Sequence, residues 1–340
     1  MVLKIGQVGL GFMGKMHFET YGRLKNAKVV AICDVDRKKL SGDWSGIAGN
    51  IGAAGKKVNL KGIRLYTDLK AMLRDPEIDV VDITLPTYLH AGAAVAALAA
   101  GKHVVCEKPM AINSTEAAWM VNAAKKARRK LFIAHCIRFW PQYAVARDIV
   151  KSGKWGPVIS ACFRRFSTTP TWSWNNWLQD PAKSGVAALD LHVHDADYIL
   201  YLLGKPRKVS ARGAGLGKGR MDHIHATYDF GPGKLVTAEG GWEFAPGFPF
   251  SMTFSIAMKR ATLNMGTDFV LNLHPLKGVT RVIPVPAGDG YGHELAHFVK
   301  CIAGNKASKV VSPESALQSV RLVEAEVRSA RTGNPVRVSL

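Results

Sequence analysis

Four groups of residues in this chain have types and spacings suited to chemistry. Gly9-Leu10-Gly11-Phe12-Met13-Gly14 is a G-x-G-x-x-G run that follows a strand-like stretch and opens a helix-like one. Glycine first permits a tight turn, second lets a pyrophosphate approach the backbone, and third lets helix and strand pack closely. The N–H groups at the start of the following helix point at such an anion. Asp34 stands twenty residues after Gly14, at the end of a second strand-like run. A carboxylate there binds the ribose hydroxyls of a dinucleotide and repels a 2′-phosphate, which favours NAD over NADP. Arg37, Lys38 and Lys39 follow closely, and a basic side chain at that point accommodates the phosphate instead.

The second group is Glu107-Lys108-Pro109, which closes another apolar run. At the carboxyl end of a parallel strand, an ammonium can bind a ribose and a substrate hydroxyl, and can stabilise an alkoxide during hydride transfer. Pro109 allows a cis Lys-Pro bond. The plainer reading of the tripeptide is a surface lysine paired with Glu107. Asp190-Leu191-His192-Val193-His194-Asp195-Ala196-Asp197 is the third group. On one continuous helix, positions 190, 194 and 197 share a face. An imidazole, with an unperturbed pKa of about 6.5, suits removal of a hydroxyl proton, and a carboxylate beside it orients the ring. His192, His194 and the carboxylates are also metal-ligand types, but on one helix His192 points away from His194, so no metal is expected.

The fourth group is aromatic. Trp172, Trp174 and Trp177 flank Asn175 and Asn176, and flat rings beside amide donors suit the faces and hydroxyls of a sugar ring. The same tryptophans equally suit packing of a loop or a subunit interface. Arg138 is expected either to bind substrate or to brace a domain junction through planar bidentate bonds. Tyr291 is expected at the edge of the pocket.

Short β-rich runs positioned between helical stretches must carry these groups. Expected strands are Leu3–Val8, Lys28–Cys33, Arg64–Tyr66, Val80–Thr84, His103–Cys106 and Leu131–Ala134. Expected helices are Gly14–Leu24, Asp68–Arg74, Ala91–Ala100 and Thr115–Arg129, with Ser41–Gly62 as a loop insertion. Apolar strands alternating with helices imply a parallel sheet covered on both faces. After about residue 135 the texture changes. Helices are expected at Arg138–Ser152, Asp190–Leu203, His293–Gly304 and Ser312–Arg331. Strands are expected at Val158–Ser167, Lys208–Gly213, His223–Phe230, Lys234–Glu239, Phe250–Ala257, Ala261–Asn264 and Arg281–Pro284. Consecutive strands without helices suggest a mostly antiparallel sheet. The expectation is an α/β protein: a dinucleotide-binding domain over 1–134 and an α+β domain over 135–340, for substrate binding and oligomerisation.

The 340 residues fit about two domains. Hydrophobic residues at 47% and charged residues at 21% exclude wholesale disorder, and no apolar stretch approaches the length of a membrane span. The 46 Lys+Arg exceed 26 Asp+Glu by a formal +20. That excess attracts anions, such as an acidic sugar or a phosphorylated ligand, but it equally describes a solvated basic surface. Lys125-Lys126-Ala127-Arg128-Arg129-Lys130 reads as a solvated helix end, and without a nucleic-acid-binding motif no such partner is expected. Five cysteines without a CxxC indicate neither a disulfide framework nor a zinc site. A reduced, cytoplasmic protein is expected.

The motifs together resemble the Gfo/Idh/MocA oxidoreductases, which include inositol dehydrogenases and glucose–fructose oxidoreductase. The matching stretches are Val8–Gly14, Cys33-Asp34, Tyr66-Thr67-Asp68-Leu69, Pro86 to His90, Gly101 to Val104, Glu107-Lys108-Pro109, Arg138-Phe139-Trp140-Pro141 and Glu294 to Val336. The resemblance implies a Rossmann domain followed by a domain whose open sheet packs against another subunit, giving a homodimer or homotetramer. It implies cofactor contacts from Gly9, Gly11, Phe12, Met13, Gly14, Asp34, Arg37, Thr84, Pro86, His90, Glu107 and Lys108. Substrate contacts would come from Lys108, Arg138, Trp174, Trp177, Asp190, His194 and Tyr291. Lys108, Asp190 and His194 match the family's catalytic pattern, while Asp197 is expected to be structural; His192 stands where the family often has a small residue. The implied activity is NAD-dependent hydride transfer at a secondary hydroxyl of a sugar, polyol or sugar derivative. Two alternatives keep the cofactor but change the outcome: glycoside cleavage with no net cofactor turnover, and a non-catalytic NAD-binding regulator.

Overall fold

The first strand, β1 (Leu3–Val8), is buried at every position but Lys4. Five more strands lie parallel beside it: β2 (Ala27–Cys33), β3 (Arg64–Tyr66), β4 (Val80–Ile83), β5 (His103–Glu107) and β6 (Leu131–Ala134). The order is β3-β2-β1-β4-β5-β6. β4 and β6 are buried throughout, as strands covered on both faces must be. Helices Phe12–Arg23, Leu69–Leu73, His90–Ala99 and Ser114–Ala127 make the crossovers. The computed structural model describes residues 2–49 and 54–340; part of the expected Ser41–Gly62 loop therefore lies outside the described residues.

Register explains why distant residues become neighbours. Val8 pairs with both Cys33 and Ile83, and Ile83 pairs with Cys106. The next row, one residue further along each strand, is Asp34, Gly9, Thr84 and Glu107. The strand order reverses between β1 and β4, and ligands of such sheets bind outside the carboxyl ends at that point.

The chain forms two compact units, and it crosses between them more often than one boundary at 134/135 allows. The first comprises the residues up to Cys136 together with Pro170–Ser184 and Tyr291–Leu317. The second comprises Ile137–Thr169, Gly185–Gly290 and Gln318–Leu340. Phe298 shows why the late segment belongs to the first unit: its ring stacks on Phe132 of β6 with centroids 4.8 Å apart.

The second unit holds nine strands: β7 (Val158–Thr168), β8 (Lys208–Ala214), β9 (His223–Asp229), β10 (Leu235–Phe244), β11 (Ser251–Met258), β12 (Ala261–Met265), β13 (Leu271–Pro275), β14 (Arg281–Val282) and β15 (Val336–Arg337). Their order is β14-β13-β12-β11-β7-β10-β9-β8-β15. Only the central β7–β10 pair is parallel. The expected β content omitted β13 and β15. The first mixes leucine with Asn, His and Pro, and the second is two residues long; neither carries a strong strand signal alone.

Burial alternates along β7: Ala161, Phe163 and Arg165 face the helices, while Cys162, Arg164 and Phe166 face the other way. Phe163 meets Tyr198 of the helix Val193–Leu203, and Tyr198 meets Tyr143 of the helix Pro141–Lys151 edge-on at 4.9 Å. Arg165 would be costly on that apolar face without a partner. Asp195 supplies one: Nε lies 2.8 Å from Oδ2 and Nη2 3.0 Å from Oδ1, with both residues essentially inaccessible. Asp195→Asn leaves the guanidinium buried without its counter-charge, and we expect a loss of about 3–5 kcal/mol in unfolding free energy, measured by urea denaturation.

On the opposite face, His223 lies between the carboxylates of Glu239 and Glu243. Partial burial pulls its pKa down, but the two carboxylates outweigh this and raise it above the ordinary histidine value. Its contribution to stability is therefore full below the unfolded pKa of about 6.5 and is lost as pH rises through the higher folded value. His223→Gln should accordingly destabilise more near pH ~6 than near pH ~9 in the same denaturation assay.

Candidate active site

The glycine turn is built by its neighbours. Gly9 has φ 90°, a left-handed value that side chains resist, and a Cβ there would sit 2.7 Å from the Thr84 carbonyl oxygen. A Cβ on Gly14 would collide with the Gly9 carbonyl oxygen. Thr84 is buried, and its hydroxyl donates to the Gly9 carbonyl at 2.6 Å. Gln7, fully buried in β1, donates to the Gly14 carbonyl at 2.5 Å and so anchors the start of the helix.

Gly11 is different. Its backbone is extended, and a Cβ on it meets nothing within 4 Å. It is the N-cap of the helix Phe12–Arg23, with no side chain capping that end and no acidic residue in the first turn. Phe12 and Met13 are half-buried in that turn. This open, positively polarised helix end fits a dinucleotide's pyrophosphate.

Asp34 lies beside this turn. Its Oδ2 accepts the Leu10 N–H at 2.6 Å and its Oδ1 accepts the Asp36 N–H at 2.8 Å, so the carboxylate is locked to the glycine turn. Each oxygen keeps a second lone pair for a ribose hydroxyl. Arg37 begins a one-turn helix capped by the Asp36 side chain and is exposed. Pro86 precedes the turn Thr87–Leu89 that follows β4. His90, expected at the cofactor, is instead buried. Its ring nitrogens lie 2.8 Å from the carbonyls of Pro109 and Leu85, so it ties the loops after β4 and β5 together. Burial lowers its pKa, and the bonds to the two carbonyls pull it back only in part.

Lys108 emerges at the end of β5, half-buried, before a cis Pro109. Glu107 is buried rather than at the surface beside it: its Oε2 accepts the Lys108 N–H at 3.0 Å, and its Oε1 is 3.1 Å from His17 Nε2. His17 Nδ1 lies 2.9 Å from Asp82 of β4. Burial alone would lower the His17 pKa, but Asp82 and Glu107 raise it well above the usual histidine range. Glu294, on the helix Gly290–Ala303, brings another buried carboxylate. The ligand atoms of His17, Glu107 and Glu294 all lie within 4.8 Å of one another, the arrangement among the described residues closest to a metal-binding set.

The tryptophan loop belongs to this same unit. Lys183 pairs with Asp180 at 3.0 Å and lies over the Tyr88 ring at 6.0 Å, which brings the loop to the turn after β4. Trp174 is exposed and Trp177 half-buried, while Asn175 and Asn176 take left-handed φ values of 48° and 50°. Tyr291 is buried in the first turn of the helix Gly290–Ala303.

In the second unit the expected helix Asp190–Leu203 is two helices. Val186–Asp190 ends, and Val193–Leu203 begins three residues later. The Leu191 and His192 N–H groups both bond to the Ala187 carbonyl, so the regular i+4 ladder breaks and the one-face argument for 190, 194 and 197 does not hold as drawn. The outcome still separates the side chains. His192, Asp195 and Asp197 are fully buried, while Asp190 and His194 stay partly exposed. His192 fills the space beside Gly240 of β10, where a Cβ would come within 3.0 Å of it, and pairs with Glu326 at 3.0 Å. Arg138 is not available to a ligand in the way a substrate contact requires. It is buried and forks onto Asp197 with bonds of 2.8 and 2.6 Å, and Ser319 donates to the same carboxylate at 2.6 Å.

Two family models cover most of this architecture. One, described as the oxidoreductase family with an NAD-binding Rossmann fold, matches residues 3–135; the other, the GFO/IDH/MocA C-terminal domain, matches residues 143–264. The chain belongs to the GFO/IDH/MocA oxidoreductase family. Levoglucosan dehydrogenase of Pseudarthrobacter phenanthrenivorans is 31% identical over 62% of this chain and 53% of that protein. The 1,5-anhydro-D-fructose reductase of Ensifer adhaerens is 28% identical over 80% of this chain and 83% of that one. Among solved structures, levoglucosan dehydrogenase in complex with NADH and levoglucosan superposes with a TM-score of 0.85 at 25% identity, covering all of both chains.

As a GFO/IDH/MocA member the chain has an NAD-binding Rossmann unit, and the two glycines test its turn separately. Gly11→Ala should keep the unfolding free energy within about 1 kcal/mol of wild type, because its conformation accepts alanine. NADH affinity, read from cofactor fluorescence, should fall at least about tenfold, because the methyl group fills the pyrophosphate's approach. Unchanged affinity would remove this turn from cofactor binding.

Proposed function

We propose that this protein is an NAD-dependent oxidoreductase acting at a secondary hydroxyl of a sugar, polyol or sugar derivative. One observation carries the reading: in a single unit, register places the ribose-type carboxylate Asp34, the open glycine turn and Lys108 along the same strand ends. The names of the related levoglucosan dehydrogenase and anhydrofructose reductase support the carbohydrate class. The charge of +20 makes sugar acids part of that class to be tested.

A bound nicotinamide supplies the hydride acceptor, or the donor in the reverse direction. The chain's own residues manage the proton. In our reading His194 takes it from the hydroxyl as the carbon loses hydride, and Asp190 orients the imidazole and favours its cation. Lys108, at the end of β5, offers an ammonium that stabilises charge developing on a substrate oxygen. Gly11, Phe12 and Met13 would hold the pyrophosphate through backbone N–H groups, and Asp34 the adenosine ribose. Trp174 and Trp177 offer aromatic faces to the ring of the substrate. An odd number of cysteines with no CxxC supports a reducing, cytoplasmic setting. The open face of the nine-stranded sheet is the surface we assign to homodimer or homotetramer formation.

The test is a panel of neutral sugars, polyols and sugar acids incubated with enzyme and NAD, followed by absorbance of the reduced cofactor. Lys108→Ala and His194→Ala should each lower kcat at least about 100-fold on the best substrate, with NADH affinity little changed in the second. Wild-type turnover in both variants would overturn the assignment.

A further inference from the structure

His17 is not among the residues that chemistry at the strand ends requires, yet it bonds to Glu107, whose carboxylate also accepts the Lys108 N–H. It lies on the dinucleotide helix, one turn beyond Gly14, and has no exposure to solvent. On one side, Nδ1 faces both oxygens of Asp82, at 2.9 and 3.1 Å. On the other, Nε2 faces Glu107, whose second oxygen accepts the Lys108 N–H. Tyr21, from the next turn of the same helix, packs edge-on against the ring at 6.4 Å. The carboxylates of Asp82 and Glu107 come from β4 and β5, and that of Glu294 from the helix Gly290–Ala303.

A glutamate held by one oxygen alone would be free to rotate about its last torsion. Here each oxygen has its own donor, so the plane of the Glu107 carboxylate is set, and with it the direction in which the backbone leaves β5. A buried carboxylate in such a place also needs a compensating cation. We propose that His17 is a positioning residue for the catalytic lysine: through Glu107 it fixes the Lys108 backbone relative to the helix that binds the dinucleotide. Asp82 acts one step further back, by holding the ring's other nitrogen. The catalytic part of this inference rests on the oxidoreductase reading above; the structural part does not.

The experiment separates the two. Amide hydrogen exchange is followed by NMR at Lys108 in the full chain, for wild type, His17→Asn and Asp82→Asn. Loss of the His17 bond should speed exchange at Lys108 at least about tenfold, while amides in the middle of β1 keep their protection. Asp82→Asn, a milder change that keeps a hydrogen-bonding group, should speed it about threefold, and serves if His17→Asn does not fold. On the best substrate of the panel, His17→Asn should lower kcat at least about 30-fold with KM and NADH affinity within about threefold, because orientation rather than binding is lost. The double variant should be no slower than His17→Asn alone, since both act through one ring. Unchanged Lys108 exchange in folded His17→Asn overturns the proposal, and so does faster exchange with wild-type kcat. If exchange quickens as expected while even the wild type turns over no carbohydrate, the link from His17 to Lys108 stands and the oxidoreductase reading is what fails.

Discussion

A charge removed from water must meet its opposite, and that requirement organises both units of this protein. In the first, three buried carboxylates from separate elements gather around the imidazole of His17 or beside it. In the second, two buried arginines each fork onto an aspartate of the same helix: Arg165 onto Asp195 and Arg138 onto Asp197. None of these pairs is evidence of net stability, because desolvation offsets much of the attraction. Their effect is directional. Bidentate pairs fix both angle and distance, so the helix bearing His194 has one permitted seat on its sheet.

The division of labour within each short motif follows from this. In Asp190 to Asp197, burial assigns His192, Asp195 and Asp197 to the interior and leaves Asp190 and His194 partly open. The step at Leu191 and His192 produces that division, since both N–H groups share the Ala187 carbonyl. Just upstream, Gly185 and Val186 take left-handed φ values of 69° and 51°. A β-branched residue there is strained, and Val186 holds that conformation in a buried position.

Much of the first unit was legible in the sequence because its information is local. The glycine spacing, the aspartate twenty residues on and the lysine closing a strand need only short stretches of chain to be read. What stayed hidden was brought in from afar. Glu294 reaches the strand ends from the C-terminal third, and the tryptophan loop joins the first unit although it follows β7. Arg138 carried two readings, and only its buried partner, 59 residues away, separates them. A faint signal did exist: Gln7 and Asp82 stand among apolar neighbours near the ends of β1 and β4, and a polar residue in a buried stretch has to be answered by something. Spacing alone could not say by what.

The late arrival of the helix Gly290–Ala303 has a consequence for how the chain is made. The parallel sheet is complete at Ala134, but the ring that covers Phe132 belongs to Phe298, about 160 residues later in synthesis. On the ribosome the nascent sheet therefore waits with an apolar patch uncovered while eight of the second sheet's nine strands are translated. Cellular holdases would have their main opportunity in that interval, and a messenger truncated before the helix would yield a Rossmann sheet that no amount of time could finish.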